Sequence, residues 1–218
     1  KNIIDIYKEH KVQGALARHM LSVAGVASFI CDNLDESINK EEVITACLLH
    51  DIGNLVKFNL NRFPELNDPE GLEYWQSAQQ EFWAKYGKNE HDATLGILQE
   101  IGVSARIVGL VEDTDFAHFK VYADSGDMAH KILLYADNRV SMHGIVSLEE
   151  RFEEVMKRSV GLPGYVAPGD KDILMNYALE VQRQIFSKCK ISPEDITDES
   201  IKSIALELQN FVIPGSEF

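Results

Sequence analysis

Cysteine is scarce in this chain, and what there is does not pair. The three cysteines among 218 residues, Cys31, Cys47 and Cys189, are odd in number, widely separated and form no CxxC. That excludes a disulfide framework and a thiolate zinc site, so any metal would have to be held by imidazole and carboxylate. Positive charge is also in short supply: 21 Lys and Arg against 35 Asp and Glu give a formal net charge of -14 at pH 7. Duplex nucleic acid is held chiefly by cations against phosphate, so such a surface repels it and no duplex partner is expected. A small phosphorylated ligand stays open, because a metal and a few local bases outweigh the global field; the acidity otherwise reads as a solubilised surface. Long hydrophobic runs are missing as well. The longest, such as the one ending at Leu49, are too short to cross a bilayer. The first thirty residues carry charge throughout, from Lys1, Asp5 and Lys8 to Arg18, with no apolar block and cleavage site of a leader. The expectation is a cytoplasmic protein with no membrane partner. Alternating strand patterns and solenoid repeats are absent too.

What is present is helical periodicity. Apolar residues recur at Val12, Leu16, Met20, Val23, Val26, Ala27, Ile30 and Leu34, one stripe at spacings of three and four with His19 inside it. Asp35, Glu36, Ser37 and Asn39 break that helix, and a second begins near Lys40 with Glu41 and Glu42 at the positive end of its dipole. Val43 to Leu49 is apolar on nearly every side, which predicts a central, buried helix. Residues 54–67 read as irregular. Further helices are predicted over an aromatic stretch carrying Tyr74, Trp75, Phe82, Trp83 and Tyr86, then His91–Ile101, Ser104–Val111, Asp127–Ser141, Leu148–Val160, Lys171–Phe186 and Pro193–Phe211, with Glu112–Gly126 a polar loop and residues 161–169 a Gly/Pro-rich one. The predicted class is all-α, a helical bundle around a central buried helix with a C-terminal helical extension. The length fits a single domain over 1–218, with a core of about 12–145 and the extension at about 148–212. The tail Gly215–Phe218 is given no role.

Three polar interruptions of apolar helices carry the chemistry. His50-Asp51 ends the most apolar helix, where two polar groups are costly unless satisfied. A divalent cation would satisfy both, and Gly53 supplies the helix end at which adjacent side chains can reach one ion; a helix cap followed by a turn accounts for the same pair. His19 faces the core between Leu16 and Val23, either as a satisfied core histidine or as a ligand. Asp137 interrupts Tyr135-Ala136-Asp137-Asn138-Arg139-Val140, where a carboxylate needs a cation, Arg139 or a metal. Two imidazoles and two carboxylates make an open N/O set with room for water, as a catalytic metal site requires.

The order His19, His50-Asp51, Asp137, each on a helix, resembles the HD-domain metal-dependent phosphohydrolase superfamily. Arg18-His19-Met20-Leu21-Ser22-Val23-Ala24 is similar to its first-histidine helix, Ala46-Cys47-Leu48-Leu49-His50-Asp51-Ile52-Gly53 to its namesake motif, and Ile132-Leu133-Leu134-Tyr135-Ala136-Asp137 to its terminal aspartate helix. The resemblance spans roughly 12–145. It implies a metal bound by His19, His50, Asp51 and Asp137, and a metal-activated water attacking a phosphate ester or anhydride of a nucleotide or other small phosphorylated metabolite, with Asp51 also orienting that water as a catalytic group. Arg18, Lys57 and Arg139 are phosphate-binding candidates as neighbours of motif residues; each is also explained as an ordinary ion pair.

Members holding two metals place two further histidines between the central pair and the last aspartate. Glu90-His91-Asp92-Ala93 resembles the first, so His91 is a candidate ligand for a second metal or for substrate. Where the second is expected this chain reads Glu112-Asp113-Thr114-Asp115, with His118 later, so a carboxylate or His118 substitutes, or one metal binds. The cofactor expectation is therefore one or two divalent ions per chain, of Mn, Mg, Co, Ni, Zn or Fe. The Tyr74, Trp75, Phe82, Trp83 cluster is read as core or as a base-stacking wall on a lid formed by the 54–90 insertion. Two other functions fit the same scaffold: a di-iron oxygenase, which needs two redox-active metals and a full ligand shell, and a non-catalytic signalling module, in which ligands would be lost. Pairing into a homodimer is left open.

Overall fold

In the computed structural model, which describes residues 1–62, 64–112, 114, 116–159 and 168–215, the apolar stripes become helices. A short α1 (Ile3–Glu9) is capped by Asn2, whose side chain accepts from the Ile4 amide at 2.8 Å. There follow α2 (Gly14–Asp32), α3 (Lys40–Leu49), 3₁₀ turns at Asn54–Lys57 and Pro64–Asn67, α4 (Leu72–Tyr86), α5 (Glu90–Ile101) and α6 (Ala105–Glu112). A 3₁₀ turn at Phe116–His118 runs into α7 (Phe119–Ala123) and then α8 (Met128–Asp137). A two-stranded antiparallel hairpin, β1 (Val140–Ser141) and β2 (Gly144–Ile145), pairs Val140 with Ile145. The chain continues as α9 (Leu148–Ser159), α10 (Pro168–Phe186) and, beyond a 3₁₀ turn at Pro193–Asp195, α11 (Asp198–Glu207).

The middle of the fold is α3. Its Asn39 cap accepts from the Glu42 amide, and Val43 to Leu49 are all buried, so beyond its first turn this helix has no solvent face. α2, α6 and α8 pack around it, and α11 closes the far side of α2. α2 has the length and apolar composition of a membrane span, which the short continuous runs of the sequence conceal. Its apolar positions, among them Met20, Val23, Ala27 and Ile30, are nevertheless buried inside the fold, the pattern of a core helix.

Several expectations needed correction. α1 was not anticipated, although Ile3, Ile6 and Tyr7 are buried and the Tyr7 hydroxyl donates to the Leu48 carbonyl at 2.7 Å. The predicted polar loop 112–126 contains α7, because Phe119, Tyr122 and Ala123 are buried; Asp113 and Asp115 lie outside the described residues, as do 160–167 of the Gly/Pro-rich loop and 216–218 of the tail. The helix predicted to reach Ser141 stops at Asp137, where the Asn138 side chain turns back to donate to Leu134 O at 2.8 Å, and a hairpin stands where no strand was expected. The predicted Pro193–Phe211 helix starts only at Asp198, after a cap in which Thr197 and Ser200 each accept from the other's amide.

Arg139 joins the C-terminal elements to this core. It is 6% exposed, and its guanidinium donates to the Tyr135 hydroxyl and to the carbonyls of Val146, Pro193 and Ile196. One side chain thus holds the hairpin exit and the approach to α11 against α8. Arg139→Met should lower unfolding stability by on the order of 3 kcal/mol, since it strands several buried carbonyls. Urea melts of the two proteins check this, and an unchanged midpoint would show the staple to be dispensable.

Candidate metal centre

Three helices bring the motif side chains together. His19 lies within α2, His50 caps α3 with Asp51 next to it, and Asp137 is the last residue of α8. His19 Nε2 is 3.0 Å from Asp137 Oδ1 and 4.0 Å from Asp51 Oδ2. His50 Nε2 is 3.3 Å from the same Asp137 oxygen and 3.7 Å from Asp51 Oδ2. Two donors that each bind one ion at about 2.1 Å can be no more than about 4.2 Å apart, and all four separations satisfy that limit. Nitrogen and oxygen donors of His19, His50 and Asp51 together lie within 4.8 Å of one another.

His50 shows what the cluster fits. Its Nδ1 is 2.8 Å from the Cys47 carbonyl, and a carbonyl can only accept, so Nδ1 carries the hydrogen. In the neutral ring Nε2 then presents a lone pair. That atom is buried, has no hydrogen-bond partner and faces two carboxylates. A lone pair among carboxylates calls for a cation between them, and the second ring nitrogen already fixes the tautomer a metal ligand needs.

The electrostatics agree. Burial by itself would depress the His50 imidazole, but the Asp51 and Asp137 carboxylates overcome it and raise its pKa to about 9. Burial works to raise Asp137, yet the imidazoles of His19 and His50 hold it well below the usual carboxylate range. Asp51 is likewise lowered against burial, by His50 and Lys57. Asp137 closes α8 and Asp51 follows the end of α3, so both carboxylates stand at the negative ends of helix dipoles. The place is built for positive charge, which an added proton supplies when no metal is bound.

The cluster opens into a cavity of about 380 Å³. His50, Asp51 and Asp137 form one end, with Asn54 and Lys57 from the 3₁₀ turn beside them. His91 and Thr94 enter from α5, Glu112 and Thr114 from the end of α6, and Phe116, Arg151 and Val155 complete the wall. α5 is seated closely here. The Gly53 amide donates to Thr94 Oγ1 at 3.2 Å, and a Cβ at position 53 would stand 2.4 Å from the Thr94 nitrogen. Only glycine lets the turn after Asp51 approach α5 so closely.

The remaining candidates divide. Lys57 lines the cavity, 3.7 Å from Glu90. Arg18 is exposed on α2 and, among the described residues, does not line it. Arg139, expected near phosphate, instead donates to Tyr135 and three carbonyls away from the cavity. His91 lines the cavity and His118 does not; at the position of the missing histidine Glu112 faces the space. His130 is structural, with Nδ1 2.8 Å from Asp127 and Nε2 2.9 Å from Gly109 O, tying α6 to α8. None of Tyr74, Trp75, Phe82 and Trp83 lines the cavity. Trp75 and Phe82 are core, while Trp83 and Gln79 donate to the carbonyls of Val56, Leu55 and Phe58 and so brace the turn carrying Lys57. The sequence reading missed Asn54, Thr94, Phe116 and Arg151. Thr94 was the most accessible of these, three positions after His91 and so on the same helical face.

Residues 16–80 match the HD domain family. The matched segment holds His19, His50 and Asp51, and it ends before α5, so Asp137 reaches the cluster from outside it. Neither the curated proteins nor the solved structures gave a match.

Two outcomes follow from the geometry. In chelator-treated protein, the stabilisation from protonated His50 is complete below its ordinary pKa of 6.5 and is lost as pH rises through about 9. The thermal midpoint should therefore fall across that interval, and His50→Gln should flatten the slope; a wild-type midpoint independent of pH would contradict this. Gly53→Ala must displace α5, and should cost about 1–3 kcal/mol in a urea melt and weaken divalent-metal binding. Wild-type values for both would show that α5 can yield at no cost.

Proposed function

We propose, taking residues 16–80 as an HD domain, that the protein is a metal-dependent phosphohydrolase acting on a small phosphorylated metabolite, a nucleotide or a compound of similar size. The observation that carries this is the buried Nε2 of His50, aimed between the carboxylates of Asp51 and Asp137 at 3.7 and 3.3 Å, with His19 Nε2 in reach of both. His19, His50, Asp51 and Asp137 would hold the ion. A divalent cation there supplies a nucleophilic water at neutral pH and draws charge from a phosphoryl oxygen.

The chain's own groups fit that task. Asp51 is partly exposed toward the cavity, with 29% of its side chain accessible, so it can orient an attacking water and accept its proton. Lys57 places a cation on the same wall. The cavity volume lies near the lower end of small-molecule sites, which span roughly 300–1,000 Å³, and this favours a compact substrate over a polymer. With the net charge of -14 it also supports a reading without a duplex nucleic-acid partner. A cytoplasmic location and no membrane partner belong to the same proposal. His91 and Glu112 are the residues facing the cavity where a second ion would be held.

Metal analysis of the purified chain and a panel of phosphorylated metabolites test the reading. We expect one or two equivalents of a divalent ion and hydrolysis of at least one ester or anhydride. His50→Ala should lose the metal and the activity together, whereas Asp51→Asn should lower kcat by roughly 10²–10⁴-fold. Stoichiometric iron with oxygen consumption and no hydrolysis would replace this reading with the oxygenase. A chain that binds no metal would replace it with a signalling module.

A further inference from the structure

The cavity sets a problem for an anionic substrate. Among the described residues four carboxylates, from Asp51, Glu90, Glu112 and Asp137, face the same space. A single divalent ion offsets two of them. Among the described residues, one lysine and one arginine line the wall, and they differ in setting. Lys57 is 43% exposed and lies 3.7 Å from Glu90, so water and a carboxylate already serve it. Arg151 has only 11% of its side chain accessible. One terminal nitrogen donates to Glu154 at 2.8 Å, while the buried Nε has no hydrogen-bond partner among the described residues.

An unpartnered guanidinium N–H in a buried wall is uncommon, because its desolvation goes uncompensated. A ligand oxygen in the cavity would compensate it. Guanidinium is planar and presents parallel N–H groups, the geometry that pairs with two oxygens of a phosphate. The side chain is held in place by its own helix. Val155, one turn further along α9, faces the same cavity, so this face of α9 forms the wall, and Glu154 fixes one arm of the fork.

We propose that Arg151, contributed by α9 from outside the segment that matches the HD family, is the residue that binds the substrate's phosphoryl group. This rests on the phosphohydrolase reading for its choice of anion. It assigns to the C-terminal extension a direct part in recognising substrate.

Inorganic phosphate is the probe. Its affinity for the full-length chain is measured by titration calorimetry, with a divalent ion and after chelation, alongside thermal midpoint and metal content. Arg151→Ala should bind phosphate about 10–100-fold more weakly in both conditions, at wild-type metal content. Arg151→Lys should lie between the two, retaining charge and losing the fork. Arg151→Gln preserves most of the buried stem and should lose phosphate affinity to the same degree as Arg151→Ala, which keeps the test valid if truncation to alanine damages the fold. Glu154→Gln, which removes the ion pair with Arg151 along with Glu154's other charged contact, should leave phosphate affinity at or above wild type. If Arg151 merely pins α9, Arg151→Ala and Glu154→Gln will lower the midpoint alike and leave phosphate affinity untouched, which overturns the proposal. Wild-type protein that binds no phosphate overturns it too. Hydrolysis of p-nitrophenyl phosphate separates this from the parent reading. Arg151-dependent phosphate binding without hydrolysis removes the enzyme and leaves the anion site, whereas hydrolysis with Arg151-independent binding removes the anion site and leaves the enzyme.

Discussion

The hydrogen bond from His50 Nδ1 to the Cys47 carbonyl is the constraint on which the centre depends. It lies within the last turn of α3, and that turn has almost no freedom. The Cys47 carbonyl accepts from His50, the Leu48 carbonyl from the Tyr7 hydroxyl and the Leu49 carbonyl from the Ile52 amide. Three consecutive carbonyls that a helix end would leave open are thereby occupied. Since α3 is buried on every side, its last turn cannot shift without moving the core. The direction of one lone pair is set by the packing of the whole interior, and this is how a site made of only a few side chains becomes precise.

The second ingredient is how charge is arranged around that lone pair. Asp137 and Asp51 both stand where helix dipoles are negative, which disfavours carboxylates unless positive charge is near. The imidazoles of His19 and His50 provide it in part, and the raised His50 and lowered Asp137 are two views of one unmet demand for a cation. Arg139 is two residues from Asp137 yet does not answer that demand, because its guanidinium belongs to the carbonyls of the C-terminal elements. Neighbouring polar residues at the end of one helix therefore divide the work, one facing the centre and the other holding the extension.

How much of this could be read from the sequence depends on what kind of signal each part leaves. His19, the His50-Asp51 pair and Asp137 each interrupt an apolar pattern, and a polar residue in an apolar stripe is visible without coordinates. Arg139 interrupts in the same way, so the pattern could not tell a ligand's neighbour from a structural staple; only its direction in space does. Arg151 leaves no mark. α9 is strongly charged along its length, with Glu149, Glu150, Glu153, Glu154 and Lys157 around it, and nothing in that pattern singles out Arg151 as a base that turns inward. α1 was hidden by brevity, since seven residues span barely two turns. α7 was hidden by the polar stretch before it, which masks Phe119 and Tyr122. The aromatic helix α4 showed its type but not its use, because hydrogen bonds from Trp83 and Gln79 to backbone carbonyls have no counterpart in periodicity.

His19 and Asp137 meet across 118 positions of chain. Contacts that distant form only after the intervening loop has paid its closure entropy. During synthesis, residues 16–80 leave the ribosome carrying His19, His50 and Asp51 before Asp137 has emerged. The emerging segment therefore brings His19, His50 and Asp51 without the carboxylate that faces both imidazoles, and that group arrives only when α8 docks against α2 and α3. Order of birth along the polypeptide thus leaves the cluster incomplete until the protein around it is nearly whole.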